Sequence, residues 1–263
     1  MTTTAAADPR RAFWAVSATL FAASVAGTVV WCASMSDMPA MPMPGGWAMS
    51  MAWMRMPRQT WPGAAAAFIG MWLAMMVAMM LPSLAPMLRR YRVTMAGAAR
   101  RTWLTALVGV GYFFVWSAIG LLAFVLGAAL AAVAMQLPAI AQTVPVAIGL
   151  IILIAGALQF TSWKAYHLAC CRNASARCDA LSPDTGTAWR YGVRLGFHCS
   201  ACCEGLMTIL LVAGVMDLRV MAVVMAAITV ERVAGAGHRV ARVIGTVAIG
   251  SGLLLIWRAI GFG

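Results

Sequence analysis

Residues 102–163 read TWLTALVGVGYFFVWSAIGLLAFVLGAALAAVAMQLPAIAQTVPVAIGLIILIAGALQFTSW. This stretch contains no Asp, Glu, Lys or Arg. A helix needs about 20 apolar residues to cross a bilayer, so the stretch is long enough for two spanning helices. Residues 136–138, Gln-Leu-Pro, mark the turn between them, and we place the helices near 103–130 and 143–163.

The rest of the chain is similarly apolar. The sequence is 63% hydrophobic and only 10% charged, whereas a soluble domain carries far more charge. We therefore expect an all-α transmembrane helix bundle in a lipid bilayer, with about seven spans. The predicted spans are 12–33, 64–88, 103–130, 143–163, 195–216, 220–234 and 240–260.

The distribution of basic residues predicts the orientation of this bundle. With the N-terminus in the cytoplasm, 15 of the 19 Lys and Arg residues fall in cytoplasmic segments, as the positive-inside rule requires. This explains the net charge of +12 without a nucleic-acid partner. We expect a multi-pass protein of a bacterial inner membrane, with residues 1–63 as an N-terminal unit and 64–263 as a six-helix domain.

The cysteines are concentrated in one part of the chain. Six of the seven lie between residues 170 and 203, in and around the runs HLACC and HCSACC. In a helix, residues spaced i, i+3 and i+4 share one face, so each run offers half of a soft-metal site. The predicted ligands are His167, Cys170, Cys171, His198, Cys199, Cys202 and Cys203, with Cys178 in the connecting loop as a further candidate.

The ligand types indicate which metal this site would bind. Thiolate and thioether sulfur are the soft ligands that suit Cu(I), and zinc is the alternative metal, although it prefers four ligands. We do not expect haem, because the chain has only three histidines. A different interpretation is that Cys199 and Cys202 form a redox dithiol. The predicted topology argues against it by placing this pair on the reducing cytosolic side.

Methionines follow one another along the second predicted span. Their spacing of three to four residues creates a row of thioether side chains that could pass Cu(I) from site to site, or that could simply fill the core. Met207, one turn beyond Cys203, extends the cysteine face. The candidate methionines are Met71, Met75, Met76, Met79, Met80, Met87 and Met207.

A second group of methionines lies in the segment 34–63, which is also rich in Pro and Trp. Flexible thioethers suit the capture of Cu(I) or Ag(I) on the outer side, where thiols would be oxidised. The alternative is a hydrophobic segment lying on the membrane surface, with its tryptophans as interfacial anchors. The methionines are Met35, Met38, Met41, Met43, Met49, Met51, Met54 and Met56.

Two carboxylates fall inside predicted spans, where charge is costly and is usually functional or paired. Glu204 directly follows Cys203, and we expect a role in proton coupling or as an outer-shell partner of the metal ligands. Glu231 has the same two candidate roles. Because it precedes Arg232, it could also form a simple pair that reaches the membrane interface.

Several of these motifs together resemble a bacterial family of predicted metal-binding integral membrane proteins. The resemblance covers about residues 64–263 and rests on the run WLAMMVAMMLP from Trp72 to Pro82, the pair Cys170-Cys171 and the run from Gly196 to Cys203. The segment Gly214–Leu218 followed by Glu231 is also similar. The resemblance implies metal binding and names no reaction.

These observations favour a Cu(I)-binding membrane protein that captures, transports or delivers the ion, and they do not favour an enzyme. Its partners would be the metal ion, the bilayer, and a periplasmic copper donor or a membrane complex. The alternatives are a membrane thiol-disulfide oxidoreductase and a non-catalytic scaffold subunit. The sequence leaves the direction of transport and the oligomeric state open.

Overall fold

The computed structural model describes residues 9–36, 41–56, 59–95, 97, 99–173, 182–234 and 237–261. Apart from one short hairpin and a 3-10 turn, its regular elements are α-helices, so the predicted all-α class is confirmed. The elements in chain order are α1 Pro9–Ser36, β1 Met41–Met43, β2 Trp47–Met49, the 3-10 turn Met51–Trp53, α2 Trp61–Thr94, α3 Arg101–Gln136, α4 Pro138–Leu158, α5 Ser162–Arg172, α6 Thr185–Gly214, α7 Leu218–Val233 and α8 Gly237–Gly261.

Six of the described helices are long and apolar enough to cross a bilayer, namely α1, α2, α3, α4, α6 and α8. The predicted span 220–234 corresponds to α7, which has 16 residues and is shorter than the usual requirement. The count of seven spans and the cytoplasmic N-terminus remain predictions. Large apolar side chains cover the outside of α3, with Phe114 56% and Leu130 69% exposed, which is compatible with contact to lipid.

The core of the bundle is formed where α2 meets α3, α6 and α7. Trp72 of α2 is completely buried, and its indole N–H donates to the carbonyl oxygen of Trp116 on α3 at 2.8 Å. A Cβ atom at Gly120 would lie 2.5 Å from the Trp72 ring, so this glycine makes room for the indole. Small residues of this kind let membrane helices pack closely.

The contact between α3 and α6 also depends on glycine. A Cβ atom at Gly196 of α6 would lie 2.8 Å from the backbone oxygen of Tyr112 on α3, and one at Gly192 would collide with Val108. The backbones therefore approach closely at these two positions. As a result, Tyr112 lies directly beside the cysteines that follow Gly196 in α6.

Several helix boundaries differ from the sequence prediction, including those of α4, which is Pro138–Leu158 and not 143–163. The polar stretch 164–194 was expected to be a loop, but it contains α5 and the first ten residues of α6. Asp184 caps α6 by accepting from the backbone N–H of Thr187 at 2.9 Å, and hydrogen bonds from Thr187 lower the pKa of this carboxyl. This cap starts the helix before its apolar part begins.

Candidate metal centre

The first half-site lies on α5, a short helix packed against α6. Its N-cap is Thr161, whose hydroxyl accepts from the backbone N–H of Lys164 at 3.3 Å. The side chains of His167, Cys170 and Cys171 are 3 to 5% exposed, so this half-site is buried. It belongs to a separate helix, because α4 ends at Leu158 before α5 begins at Ser162.

The second half-site lies near the middle of α6. Cys199, Cys202 and Cys203 are at most 1% exposed, and they share the helix face that is turned toward α2, α5 and α7. Because α6 begins at Thr185, these residues are well inside the helix. The predicted span 195–216 places these cysteines near its start, whereas the helix places them near its middle. The side of the membrane that they face remains a prediction.

Cys199 is surrounded by three different groups. Its thiol sulfur lies 2.9 Å from the hydroxyl of Tyr112 and accepts from the Nη1 of Arg232 at 3.2 Å. The Sδ of Met80 on α2 lies 4.0 Å away. Cys199 thus connects α2, which carries the methionines, with the other cysteines. The buried positive charge of Arg232 lies beside it.

The other thiols connect the two half-sites. The thiol of Cys171 on α5 interacts with that of Cys202 on α6, and the thiol of Cys203 interacts with those of Cys199 and Cys202. We call Cys171, Cys199, Cys202 and Cys203 the thiol cluster. Cys170 is buried but has no described contact with it, and Cys178 lies outside the described residues. No described cysteine forms a disulfide.

Within the described ranges, no three His, Cys, Asp or Glu side chains are arranged so that they could hold a metal ion together. The four-ligand site that zinc prefers is therefore not preformed in this part of the chain. A soft ion such as Cu(I) accepts fewer ligands and also accepts thioether sulfur. The contact between Met80 and Cys199 offers this mixed type of site.

The two predicted histidines face each other. The Nδ1 atoms of His167 and His198 lie 3.1 Å apart, and the His167 ring packs against Trp163 with centroids 4.3 Å apart. At this distance one ring donates its N–H and the other accepts. This contact brings α5 and α6 together through the two histidines, and their role as metal ligands remains a prediction.

Helix α2 is continuous although it contains two prolines. Its methionines line the core. Met71, Met75, Met76, Met79 and Met80 are at most 3% exposed. Met87 is only half-buried, while Met207 of α6 is 5% exposed. The first five residues form what we call the methionine row, which ends at the thiol cluster.

The buried carboxylate Glu231 pairs with a residue that the sequence analysis did not single out. Its Oε2 lies 2.7 Å from the Nζ of Lys164, and this ammonium also donates to the carbonyl oxygen of Cys202 at 2.6 Å. The alternative in which Glu231 pairs with Arg232 is therefore wrong. Arg232 instead donates to the hydroxyl of Ser83 at 2.8 Å and to Cys199.

Glu204 was expected to lie near the metal ligands, but its side chain is exposed. One position after Cys203 in a helix, it points about 100° away from the cysteine face. It lines a small cavity at the surface together with Trp163, Lys164 and Cys202. Glu204 therefore shares a cavity with one cysteine of the thiol cluster, and its role remains a prediction.

The sequence analysis did not assign Lys164 and Tyr112 to the site, and it considered Arg232 only as the neighbour of Glu231. Lys164 is the only lysine among 19 basic residues, and this could have indicated a special role for it. Arg232 lies in an apolar stretch, where an ionisable residue is a candidate functional group. Tyr112 gave no signal, because an aromatic residue in an apolar run is ordinary.

The comparisons with known proteins gave one match. The profile of the PpoB2 family, described as a copper chaperone, matches residues 69–255. No curated protein and no solved structure gave a match. The matched segment contains the thiol cluster, the methionine row, Lys164 and Arg232. Because it covers well over half of the sequence, the chain belongs to the PpoB2 family of copper chaperones.

Proposed function

We propose that this protein is a membrane-embedded chaperone that binds Cu(I) at the thiol cluster and receives the ion through the methionine row. Membership of a copper-chaperone family supports copper as the cargo. The six long apolar helices support a location in the bilayer. The residues that bind the ion and the route of the ion are our own inference from the packing of α2 against α6.

The distance of 4.0 Å between Met80 Sδ and Cys199 Sγ carries this proposal. Two sulfur ligands at about 2.3 Å from one ion, in a planar three-ligand arrangement, are separated by about 4 Å. The observed spacing therefore fits a shared ion without movement of either helix. Met80 would be the last thioether that the ion meets and Cys199 the first thiolate.

The buried charges support a monovalent ion. Lys164 and Glu231 compensate each other at 2.7 Å, whereas Arg232, which lies beside Cys199, forms no ion pair with a carboxylate among the described residues. A Cu(I) ion bound by two thiolates has a net charge of −1. Arg232 would balance this charge, and such a balance is needed because an uncompensated charge is costly in a protein interior.

The methionine row supplies a route because its members repeat along α2. Met71, Met75 and Met79 follow each other at one helical turn, and Met76 and Met80 form a parallel row. The row spans about 13 Å at 1.5 Å per residue. All five side chains are buried, so an ion moving along them would stay away from water and oxidants.

The same burial speaks against a thiol-redox enzyme. A reactive thiol must be reached by the partner with which it exchanges. Cys199 and Cys202 are at most 1% exposed, and a substrate disulfide would need to enter the packed core to reach them. We therefore retain copper binding as the function.

Metal analysis by mass spectrometry of the purified protein tests the proposal. Both proteins are exposed to Cu(I) in the presence of the same concentration of a competing chelator. The native protein should then carry copper close to stoichiometry, and C171A/C199A/C202A/C203A should carry none. The matched control is C32A, which removes a buried cysteine on α1 outside the cluster. Equal copper in the native protein and the fourfold variant would refute the site.

Delivery along the row needs a separate measurement. M75L/M76L/M79L/M80L should fold, because exchange of methionine for leucine nearly conserves volume and apolarity. In sealed vesicles, loading of the thiol cluster from outside should become at least about tenfold slower. Loading at the native rate would show that the ion takes another route.

A further inference from the structure

A cavity of about 160 Å³ lies at the end of the bundle where α1 ends and α2 begins. Thirteen residues line it, and six of these are methionines that come from four different parts of the chain. They are Met35 of α1, Met51, Met54 and Met56 of the segment before α2, Met71 of α2, and Met216 between α6 and α7. We call this space the methionine cavity.

We propose that the methionine cavity is a second metal site, which binds a soft monovalent cation through thioether sulfur alone and loads the methionine row. This inference rests on the proposed function, since it supplies the entry point of the same route. Four of the six methionines lie before residue 69 and so outside the segment matched by the family profile. The entry site would be a feature of this chain's own N-terminal part.

The lining determines which ion the cavity would accept. It contains no charged residue, and its one amide side chain, Gln59, accepts from the backbone N–H of Met56 at 3.3 Å. A hard divalent cation prefers oxygen ligands, which this lining scarcely offers. Thioether sulfur suits Cu(I) and Ag(I), and the rings of Trp31, Phe68 and Phe124 add faces that attract a cation.

Simple packing of side chains explains the cavity less well than metal binding does. Methionine is flexible and normally fills irregular gaps in a core, yet here six methionines surround a space that stays open. Five of them are half-buried, whereas Met71 is 3% exposed. The open side is thus lined by partly exposed thioethers, and the least exposed methionine is Met71.

Met71 connects the cavity to the thiol cluster. It is the first member of the methionine row, and Met75 follows it one turn along α2 at 1% exposure. A neutral thioether site holds a cation without compensating its charge, so it should bind more weakly than the thiol cluster. Weak binding at the entrance and tighter binding at the end would drive the ion inward.

Calorimetric titration with Ag(I) alone, on the full chain in nanodiscs, tests this site. The native protein should show a tight step and a weaker step. M51L/M54L/M56L should lose the weaker step, or weaken it at least about tenfold, and keep the tight one. The matched control M41L/M43L/M49L changes three methionines of the same segment that do not line the cavity, and it should keep both steps.

The outcomes separate this inference from the proposed function. If M51L/M54L/M56L retains the weaker step, or if the control loses it equally, the methionine cavity is not a metal site. If the native protein lacks the tight step while M51L/M54L/M56L still weakens the other step, the proposed function is refuted and the cavity site stands. Melting temperatures close to that of the native protein would show that the leucine variants are folded.

Discussion

The sulfur of Met80 on α2 lies 4.0 Å from the sulfur of Cys199 on α6, and both side chains are completely buried. The two residues are far apart in sequence, and they meet because α2 and α6 pack around a common core. This contact joins five buried methionines to four buried cysteines. It is the reason why we treat both sets as one route for one ion.

Replacement of Met80 by leucine removes the thioether but nearly keeps the volume. M80L should lose less than about 1.5 kcal/mol of folding stability, while its Cu(I) affinity should fall about tenfold, or about 1.4 kcal/mol. Competition with a colorimetric Cu(I) chelator measures this change. M221L, which alters a buried methionine on α7, is the control, and equal affinities of the two variants would remove Met80 from the site.

The pair formed by Lys164 and Glu231 should matter for folding more than for proton movement. E231Q leaves the buried ammonium of Lys164 without its counter-charge, so it should lower the free energy of unfolding by about 3–5 kcal/mol. K164M/E231L removes both charges and should recover most of this loss. Thermal unfolding of the metal-free protein checks both values. A stable E231Q variant that no longer moves copper would favour proton coupling instead.

Arg232 should contribute its charge to copper binding, because it donates to Cys199 at 3.2 Å. R232M should weaken Cu(I) binding by at least about tenfold, since the bound dithiolate would lose its counter-charge. R232K keeps the charge and should retain most of the affinity, although it loses the planar geometry of the guanidinium. If R232M binds copper as tightly as R232K does, the charge balance is irrelevant.

Glu204 should have no part in copper binding, because its side chain is exposed at a small surface cavity, whereas the thiols of the cluster are buried. E204Q should change the Cu(I) affinity by less than about twofold, which is within the range of neutral surface substitutions. The same competition assay serves for this variant. A tenfold loss of Cu(I) affinity in E204Q would mean that the carboxylate reaches the ligands in another conformation of the protein.

The features that depend on local periodicity could be predicted from the sequence. The spacing of Cys199, Cys202 and Cys203 placed them on one face, and the structure buries that face. The repeat of Met71, Met75 and Met79 placed a row along α2, and this row lines the core. Both predictions follow from the 3.6-residue turn and need no knowledge of the neighbouring helices.

The partners of the site could not be predicted, because they depend on packing between distant segments. Lys164 reaches Glu231 across 67 positions of the chain, and Arg232 reaches Ser83 across 149. The expected pair of Glu231 and Arg232 was suggested by adjacency in sequence. Adjacent residues in a helix point in different directions, so in α7 they face different neighbours.

The boundary of α6 was misjudged for a related reason. The apolar run begins near residue 195, but the Asp184 cap and the packing of Ala188 and Gly192 against α3 extend the helix to Thr185. Hydropathy indicates the stretch that suits lipid and does not indicate where a helix starts. This shift moved the cysteines from the predicted end of a helix to its middle.

The most direct test of the central claim is X-ray absorption at the copper edge, on the protein loaded with one equivalent of Cu(I). We predict two or three sulfur neighbours at about 2.3 Å, with one fewer sulfur, or a rearranged shell, in M80L. A first shell of nitrogen or oxygen atoms, or a spectrum unchanged between the native protein and C171A/C199A/C202A/C203A, would contradict the thiol cluster as the copper site.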